Sequence, residues 1–430
     1  MNCVRIGGGA GFAGDRFEPA EALARDGELD DLVLECLAER TIALGQQRRL
    51  ADPATGYDPR LLARFERLLP LCAARGVRVI TNMGAANPLA AGRVTAELVE
   101  RLGLGLSVAV VTGDDVLDRI DPSAPALETG RPLAEHGELV SANAYLGAEQ
   151  IMPALETGAD VVLTGRVADP SLFTAPLAQR LGWDLRDPAA MAAGTVAGHL
   201  LECAGQLTGG YFADPGRKDV PGLAELGFPY ADVTADGDVE VSKLPGTGGL
   251  VSRATVREQL LYEVTDPTAY LTPDVTLDLR GVTVAETGPD RVAVRGAVGR
   301  ARPEKFKVSV GYRAGWRAEA GISYAGPGAR ARAELAGEVV LRRLAGTRVR
   351  ADVLGAEGSP ECRLRIAASA ADRASAEVVC HEVEALYTNG PAGGGGVRTA
   401  VTEVIGIVST LIDRDRVEPA VTVIGVPSCG

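Results

Sequence analysis

The sequence predicts an α/β fold: a doubly wound, mostly parallel sheet followed by a smaller α+β domain. Three observations carry this. Short apolar runs alternate with helical patterns through the first half of the chain. Each run ends in a polar or glycine-rich loop, as strands of a parallel sheet do. After about residue 270 the alternation gives way to runs of strands broken by two helices. The expected domains are residues 1–270, which bind a ligand, and residues 271–430, which carry a glycine-rich loop. A chain of 430 residues with 46% hydrophobic content can fill two cores. Aromatic residues make up only 4%, so Ala, Val and Leu supply most of the packing.

Val4–Ile6 is the first strand, and it runs into Gly7–Arg16. Bare backbone N–H groups in such a turn suit an anion, because a phosphate can come close where there is no Cβ. Gly9, Gly11, Gly14 and Arg16 are the candidate binding residues, and Asp15 adds a candidate catalytic carboxylate. The plain alternative is a tight strand-to-helix turn that holds nothing. Gly9–Gly14 also fits G-x-G-x-x-G, with Asp30, Asp31 and Glu35 near where a dinucleotide site wants a ribose-binding acid. The helix that follows, Phe17–Arg25, is short for that role.

Further strands are expected at Leu32–Glu35, Val77–Thr81, Ser107–Thr112 and Val161–Thr164, with helices at Pro59–Arg75, Ala90–Leu102 and Gly147–Thr157. The loops Asn82–Pro88, Gly113–Asp115 and Gly165–Pro170 then gather at one sheet edge. Arg166 is a candidate fork for a ligand carboxylate or phosphate, and Asp169 is expected to cap the next helix. A helix over Pro188–Gly209 carries His199, Glu202 and Cys203. Spacings of three and four residues put all three on one face. A histidine oriented by a carboxylate is a general acid/base, and a nearby thiol is a second option as nucleophile. A packed histidine and a core cysteine are the structural alternative.

Gly210–Gly249 reads as irregular, with a further glycine loop at Pro245–Gly249. Beyond it, strands are expected at Val275–Leu279, Arg291–Arg295, Lys305–Tyr312, Trp316–Tyr324, Arg348–Val353, Glu361–Ala368 and Val421–Ile424. Helices are expected at Gly328–Leu344 and Asp372–Leu386. The run Asn389–Gly396 includes Gly394 and Gly395, candidate ligand contacts unless the run is a flexible hairpin tip.

A net charge of −13 argues against nucleic acid or an anionic membrane surface as partner. The seven cysteines are Cys3, Cys36, Cys72, Cys203, Cys362, Cys380 and Cys429, with no C-x-x-C pair. No secretory pattern opens the chain, and no apolar run reaches the roughly 18 residues that span a bilayer. Cytoplasmic residence with reduced thiols is expected. His136, His199 and His381 are the only histidines, and no pair has metal-ligand spacing, so no metal site is expected.

Several longer motifs, in order, resemble the acyclic terpene utilisation protein AtuA family. They are Gly11–Arg16 with the preceding glycines, Asn143–Ala148, Thr164–Ser171, Gly194–Cys203, Tyr262–Pro267, Tyr270–Val275 and Asn389–Gly396. The resemblance covers nearly the whole chain and departs at Gly9 and Met83. It implies an association with the degradation of branched, isoprenoid-type acyl chains as coenzyme A esters. The expected activity is that of an acyl-CoA-type lyase or hydratase, with no tightly bound cofactor and an anionic acyl thioester as partner. A non-catalytic acyl-CoA-binding subunit and an NAD(P)-dependent oxidoreductase are the alternatives. A homo-oligomer is expected.

Overall fold

The computed structural model describes residues 3–425. Cys429 lies outside the described residues. Two compact units are present. The first comprises the chain up to Gly130, Ser141–Val310 and the segment from Val408 on; the second comprises Arg131–Val140 and Gly311–Ile407.

The first unit is built, in chain order, from β1 (Cys3–Ala10), α1 (Glu18–Asp26), β2 (Asp31–Leu34), α2 (Glu39–Ala51), α3 (Leu61–Arg75), β3 (Arg78–Thr81), α4 (Pro88–Arg101), β4 (Val108–Thr112), the part of β5 (Leu139–Ala144) from Ser141 on, α5 (Ala148–Glu156), β6 (Val161–Thr164), α6 (Ser171–Leu181), α7 (Pro188–Leu201), β7 (Pro229–Thr234), β8 (Val239–Lys243) and α8 (Arg253–Leu261), with further strands after it. Strands β1, β2, β3, β6 and β4 lie side by side in that order, all parallel. These are the five strands that the alternation of apolar runs predicts.

The edges of this sheet differ from that expectation. Next to β1 the sheet continues antiparallel through β7, β8, Arg291–Arg295 and Thr283–Gly288. At the other edge Ala420–Ile424 runs antiparallel to β4. The Gly210–Gly249 segment therefore supplies two strands where irregular structure was expected. The expected boundary at residue 270 falls inside the first unit, because strands on both sides of it share one sheet.

Side-chain alternation divides the parallel strands between two faces. Leu32, Leu34, Val79, Val108, Val110, Val161 and Leu163 pack with Leu23 of α1, Phe65 and Leu68 of α3, and Leu98 of α4 in one apolar cluster. The intervening residues Val33, Ile80, Ala109, Val111 and Val162 are equally buried on the opposite face. Helices start where the sequence supplies caps: Asn87 accepts from Ala90 N–H before α4, and Asp187 accepts from Ala189 N–H before α7. Both are followed by proline at the first helical position. Helix α7 stops at Leu201, short of the expected Gly209, and a short 3-10 turn at Ala204–Gln206 follows.

The opening glycines are placed differently from the sequence reading. Gly7, Gly8 and Gly9 lie within β1, so the turn begins only at Gly11. Their role is close approach. A Cβ on Gly8 would stand 2.6 Å from the Leu201 carbonyl oxygen, and one on Gly11 would stand 2.2 Å from the Cys203 carbonyl carbon. The glycines let the end of α7 lie directly against β1.

In the second unit, Val349–Leu354, Glu361–Ala370 and the later part of Lys305–Ala325 form antiparallel pairs. The two runs expected at Lys305–Tyr312 and Trp316–Tyr324 are one continuous strand. Helices Ala329–Arg343 and Arg373–Glu384 cover the sheet, burying Ile322, Tyr324, Leu364 and Ile366 against Ala333, Val340, Val379 and Val383. Gly394 and Gly395 open the strand Gly394–Asp413. A Cβ on Gly394 would meet Ile322 and Tyr324, so strand packing accounts for this glycine.

Candidate functional site

Parallel strands deliver the loops after β1, β2, β3, β4 and β6 to one edge of the sheet, the edge where ligands bind in open α/β folds. The polar residues of these loops meet there. Glu35 follows β2, Asn82 follows β3, Asp114 follows β4, and Arg166 and Asp169 follow β6. His199 and Glu202 come from the end of α7.

The dyad expected from helical spacing is formed. His199 Nδ1 lies 2.8 Å from Glu202 Oε1. The imidazole is buried, with the Tyr270 ring 5.2 Å away. With Nδ1–H donating to Glu202, Nε2 carries the lone pair of a base. Nε2 is buried and has no hydrogen-bond partner, and neither has Glu202 Oε2. Burial alone would lower the imidazole pKa, but the adjoining carboxylate outweighs it and the net shift is upward. Cys203 does not fit the nucleophile option, because burial and then the Glu202 charge push its thiol pKa up, away from thiolate.

Arg166 is not a ligand arm. It is 1% exposed. Its guanidinium donates to the carbonyls of Leu37 and Val167 and pairs with Asp169, while it stacks 4.5 Å from the Tyr145 ring centre. Its backbone N–H donates to Asp114 at 2.9 Å. One side chain thus ties together the loops after β2 and β6 and the Tyr145 ring after β5. Asp169 does not cap α6, which has no side-chain cap; its carboxylate serves Arg166 instead.

Around Arg166 stands a set of acids, Glu35 and Asp114 buried and Asp169 and Glu39 half-exposed; the sequence points to Glu35 only as a ribose-binding acid and to Asp169 only as a cap. Glu35 Oε1 accepts from Leu37 N–H at 2.7 Å and from Asn82 Nδ2 at 2.8 Å. Burial raises its pKa to about 7 against the opposing pull of Arg166. Burial likewise raises Asp114 to about 6 and holds Asp169 well above the ordinary carboxylate range. Glu39 accepts from the Tyr145 hydroxyl at 2.5 Å. A legible signal existed: each of Glu35, Asn82 and Asp114 is a polar residue placed at or just after the end of an apolar run.

The glycine turn holds its own anion. Asp15 Oδ2 accepts from Gly11 N–H at 2.8 Å, so the turn's own carboxylate takes a backbone donor expected for a bound anion. Burial raises its pKa, opposed first by that Gly11 bond. Arg16 is exposed, donates to the Ala224 carbonyl and stands 3.5 Å from Glu18. Gly9 is inside β1 and faces Leu32 and Leu34. Asp30 and Asp31 stand at the opposite end of β2 from the glycine turn, where Asp31 pairs with Arg78 and Arg180. Gly394 and Gly395 belong to the second unit.

Two hollows flank Phe12, which is 59% exposed at the tip of the turn. One, of about 520 Å³, is lined by Gly11, Asp15, Arg16, Cys203, Tyr211 and Tyr262 among others. The other, of about 220 Å³, is lined by Gly14, Leu37, Leu44, Arg48, Arg60 and Met83 among others. Gly11 and Arg16 thus meet in one hollow and Gly14 reaches its neighbour, while Arg166 lines neither.

An α/β protein whose acid–base groups collect at the carboxyl edge of its parallel strands is the class this geometry defines. Within that class the chain belongs to the acyclic terpene utilisation family, AtuA: the model of that family matches residues 4–423. No curated protein matches the chain. Among the described residues, no helix is long and apolar enough to cross a membrane.

Proposed function

We propose that the protein acts on branched or isoprenoid-like acyl thioesters as a lyase or hydratase, by general acid/base catalysis from His199 and Glu202. One observation carries the reading. His199 Nε2 is a buried nitrogen with no partner, backed by a carboxylate on Nδ1. Several buried polar atoms among the described residues have no partner; of these, only Nε2 belongs to an imidazole whose other nitrogen is backed by a carboxylate, so a substrate proton would supply a partner to a base. Glu202 orients the ring and stabilises the imidazolium that forms when the ring takes a proton. Gly11, Arg16 and Cys203 line the larger hollow, and Cys203 directly follows Glu202 in the chain; His199 and Glu202 are not themselves among its lining residues. Arg16 suits a phosphate of the thioester's nucleotide end. The Tyr270 ring packs against the imidazole, with the ring centres 5.2 Å apart.

Proton abstraction next to a thioester carbonyl can be read without knowing the complete reaction. Branched acyl-CoA esters incubated with the protein in deuterated water should gain mass at the carbon beside the carbonyl or at the hydrated double bond. If no ester in a panel of branched chains exchanges or converts, the reading is wrong. The alternative, a non-catalytic acyl-CoA-binding subunit, predicts retention of the ester by native mass spectrometry without any exchange.

A further inference from the structure

The larger hollow carries a feature that neither the dyad nor the glycine turn explains. Tyr211 lines it and is 86% exposed. Its backbone has a φ of +61°, a region that a bulky side chain rarely adopts. The surrounding chain imposes this conformation. The buried Thr208 hydroxyl lies 3.1 and 2.6 Å from the Gly205 and Gly227 carbonyl oxygens, and Leu250 N–H donates to the Thr208 carbonyl at 2.9 Å. Gly210 N–H donates to the Gly205 carbonyl at 2.8 Å. A strained backbone that holds an aromatic ring in water does nothing for the fold, and strain of this kind gathers at ligand sites.

Tyr262 meets Tyr211 edge-on, with ring centres 6.4 Å apart and planes at 75°, so a face of Tyr211 stays open. Phe12, Gln206 and Arg16 line the same hollow. At about 520 Å³ it has the size of a small-molecule site. Arg16 keeps its charge at the surface, donating to the Ala224 carbonyl, with Glu18 3.5 Å away. Asp15, also in the lining, is turned to Gly11 N–H. An open aromatic face beside an amide and a guanidinium suits a flat heteroaromatic base, which stacks on the ring while an attached phosphate reaches the cation.

We propose that the larger hollow seats the nucleotide end of the thioester, with its purine base stacked on Tyr211 and edged by Tyr262, and a phosphate at Arg16. The inference rests on the acyl-thioester reading and says which end of that substrate the hollow takes: the nucleotide, not the reacting carbon. The lining agrees, since His199 and Glu202 are absent from it.

The test titrates the full chain by calorimetry with adenosine 3′,5′-bisphosphate, the nucleotide end of coenzyme A, and with inorganic pyrophosphate, which has no base. The bisphosphate should bind, and pyrophosphate far more weakly. Tyr211→Gly removes the ring and suits the positive φ, so it should keep or raise the melting temperature while weakening the bisphosphate about ten-fold or more. Tyr211→Phe should keep the binding, since it keeps the face. Two outcomes separate this proposal from the catalytic one. If the bisphosphate binds through Tyr211 and no branched ester exchanges, the base subsite stands and the catalytic reading fails. If esters exchange and Tyr211→Gly leaves their KM unchanged, the subsite falls and the catalytic reading stands. No binding of the bisphosphate, pyrophosphate binding of equal strength, or bisphosphate binding that survives Tyr211→Gly would each overturn the subsite.

Discussion

At the scale of single residues, Arg166 and His199 show how differently two side chains can relate to their sequence context. The His199–Glu202 contact was legible, because a spacing of three on a helix fixes which side chains can meet. Arg166 was not. An arginine after an apolar strand looks like a ligand arm, and nothing local reveals that its donors are claimed by carbonyls and by Asp169. Asp15 misleads in the same way, since its bond to Gly11 depends on the folded turn. The hub role makes a prediction. Arg166→Ala should destabilise the fold by about 3–5 kcal/mol, because it leaves buried carboxylates without their cation. Arg166→Lys should recover only part of this, since a single ammonium cannot replace the fork. Chemical denaturation of the two variants checks both statements; near-neutral effects would return Arg166 to the role of a ligand arm.

At the scale of elements, some strands and helices are legible in the sequence and others are not, for physical reasons. Strands β2, β3, β4 and β6 are buried on both faces, so each appears as a short, nearly unbroken apolar run. Strands β7 and β8 were hidden by turn residues on both sides and by polar positions within them, such as Asp232 and Glu240. Helix α2 was missed because its apolar stripe is weak: Ile42 and Ala43 are buried beside Gly45 and Gln46. The glycines of β1 were assigned to a turn because their composition is visible and their packing partner is not. That partner, the end of α7, gives a test at this scale. Gly11→Ala sets a Cβ against the Cys203 backbone, which cannot yield as a side-chain tip can. A loss of about 1–3 kcal/mol is expected, with a displaced α7 end. A fully stable Gly11→Ala would mean that the contact is looser than described.

For the whole molecule, the buried acids at the sheet edge couple stability to pH. Glu35 has an ordinary value of 4.5 raised to about 7 in the fold, so the folded state holds its proton where the unfolded chain has lost it. Such a group stabilises the protein fully below its unfolded pKa, and that contribution is lost as pH rises through the folded value. The upward shift of His199 acts in the same direction. The melting temperature should therefore fall as pH climbs from about 5 to about 8, and Glu35→Gln should flatten that slope. A Glu35→Gln profile parallel to the parent would show that Glu35 titrates normally. Assembly at this scale was the least legible: neither the boundary between the two units nor the mixed sheet edges follows from local pattern, because both depend on pairings distant in the chain, as between β4 and Ala420–Ile424.

The central claim is that His199 moves a proton for a bound acyl thioester. The direct measurement is the rate of deuterium exchange or turnover per folded molecule in His199→Ala, taken with its melting temperature on the same preparation. A positioned proton-transfer group predicts a fall of about 100-fold or more with the fold retained, and a smaller fall for Glu202→Gln. A lowered melting temperature with an unchanged rate per folded molecule would contradict the account and make His199 a packing residue.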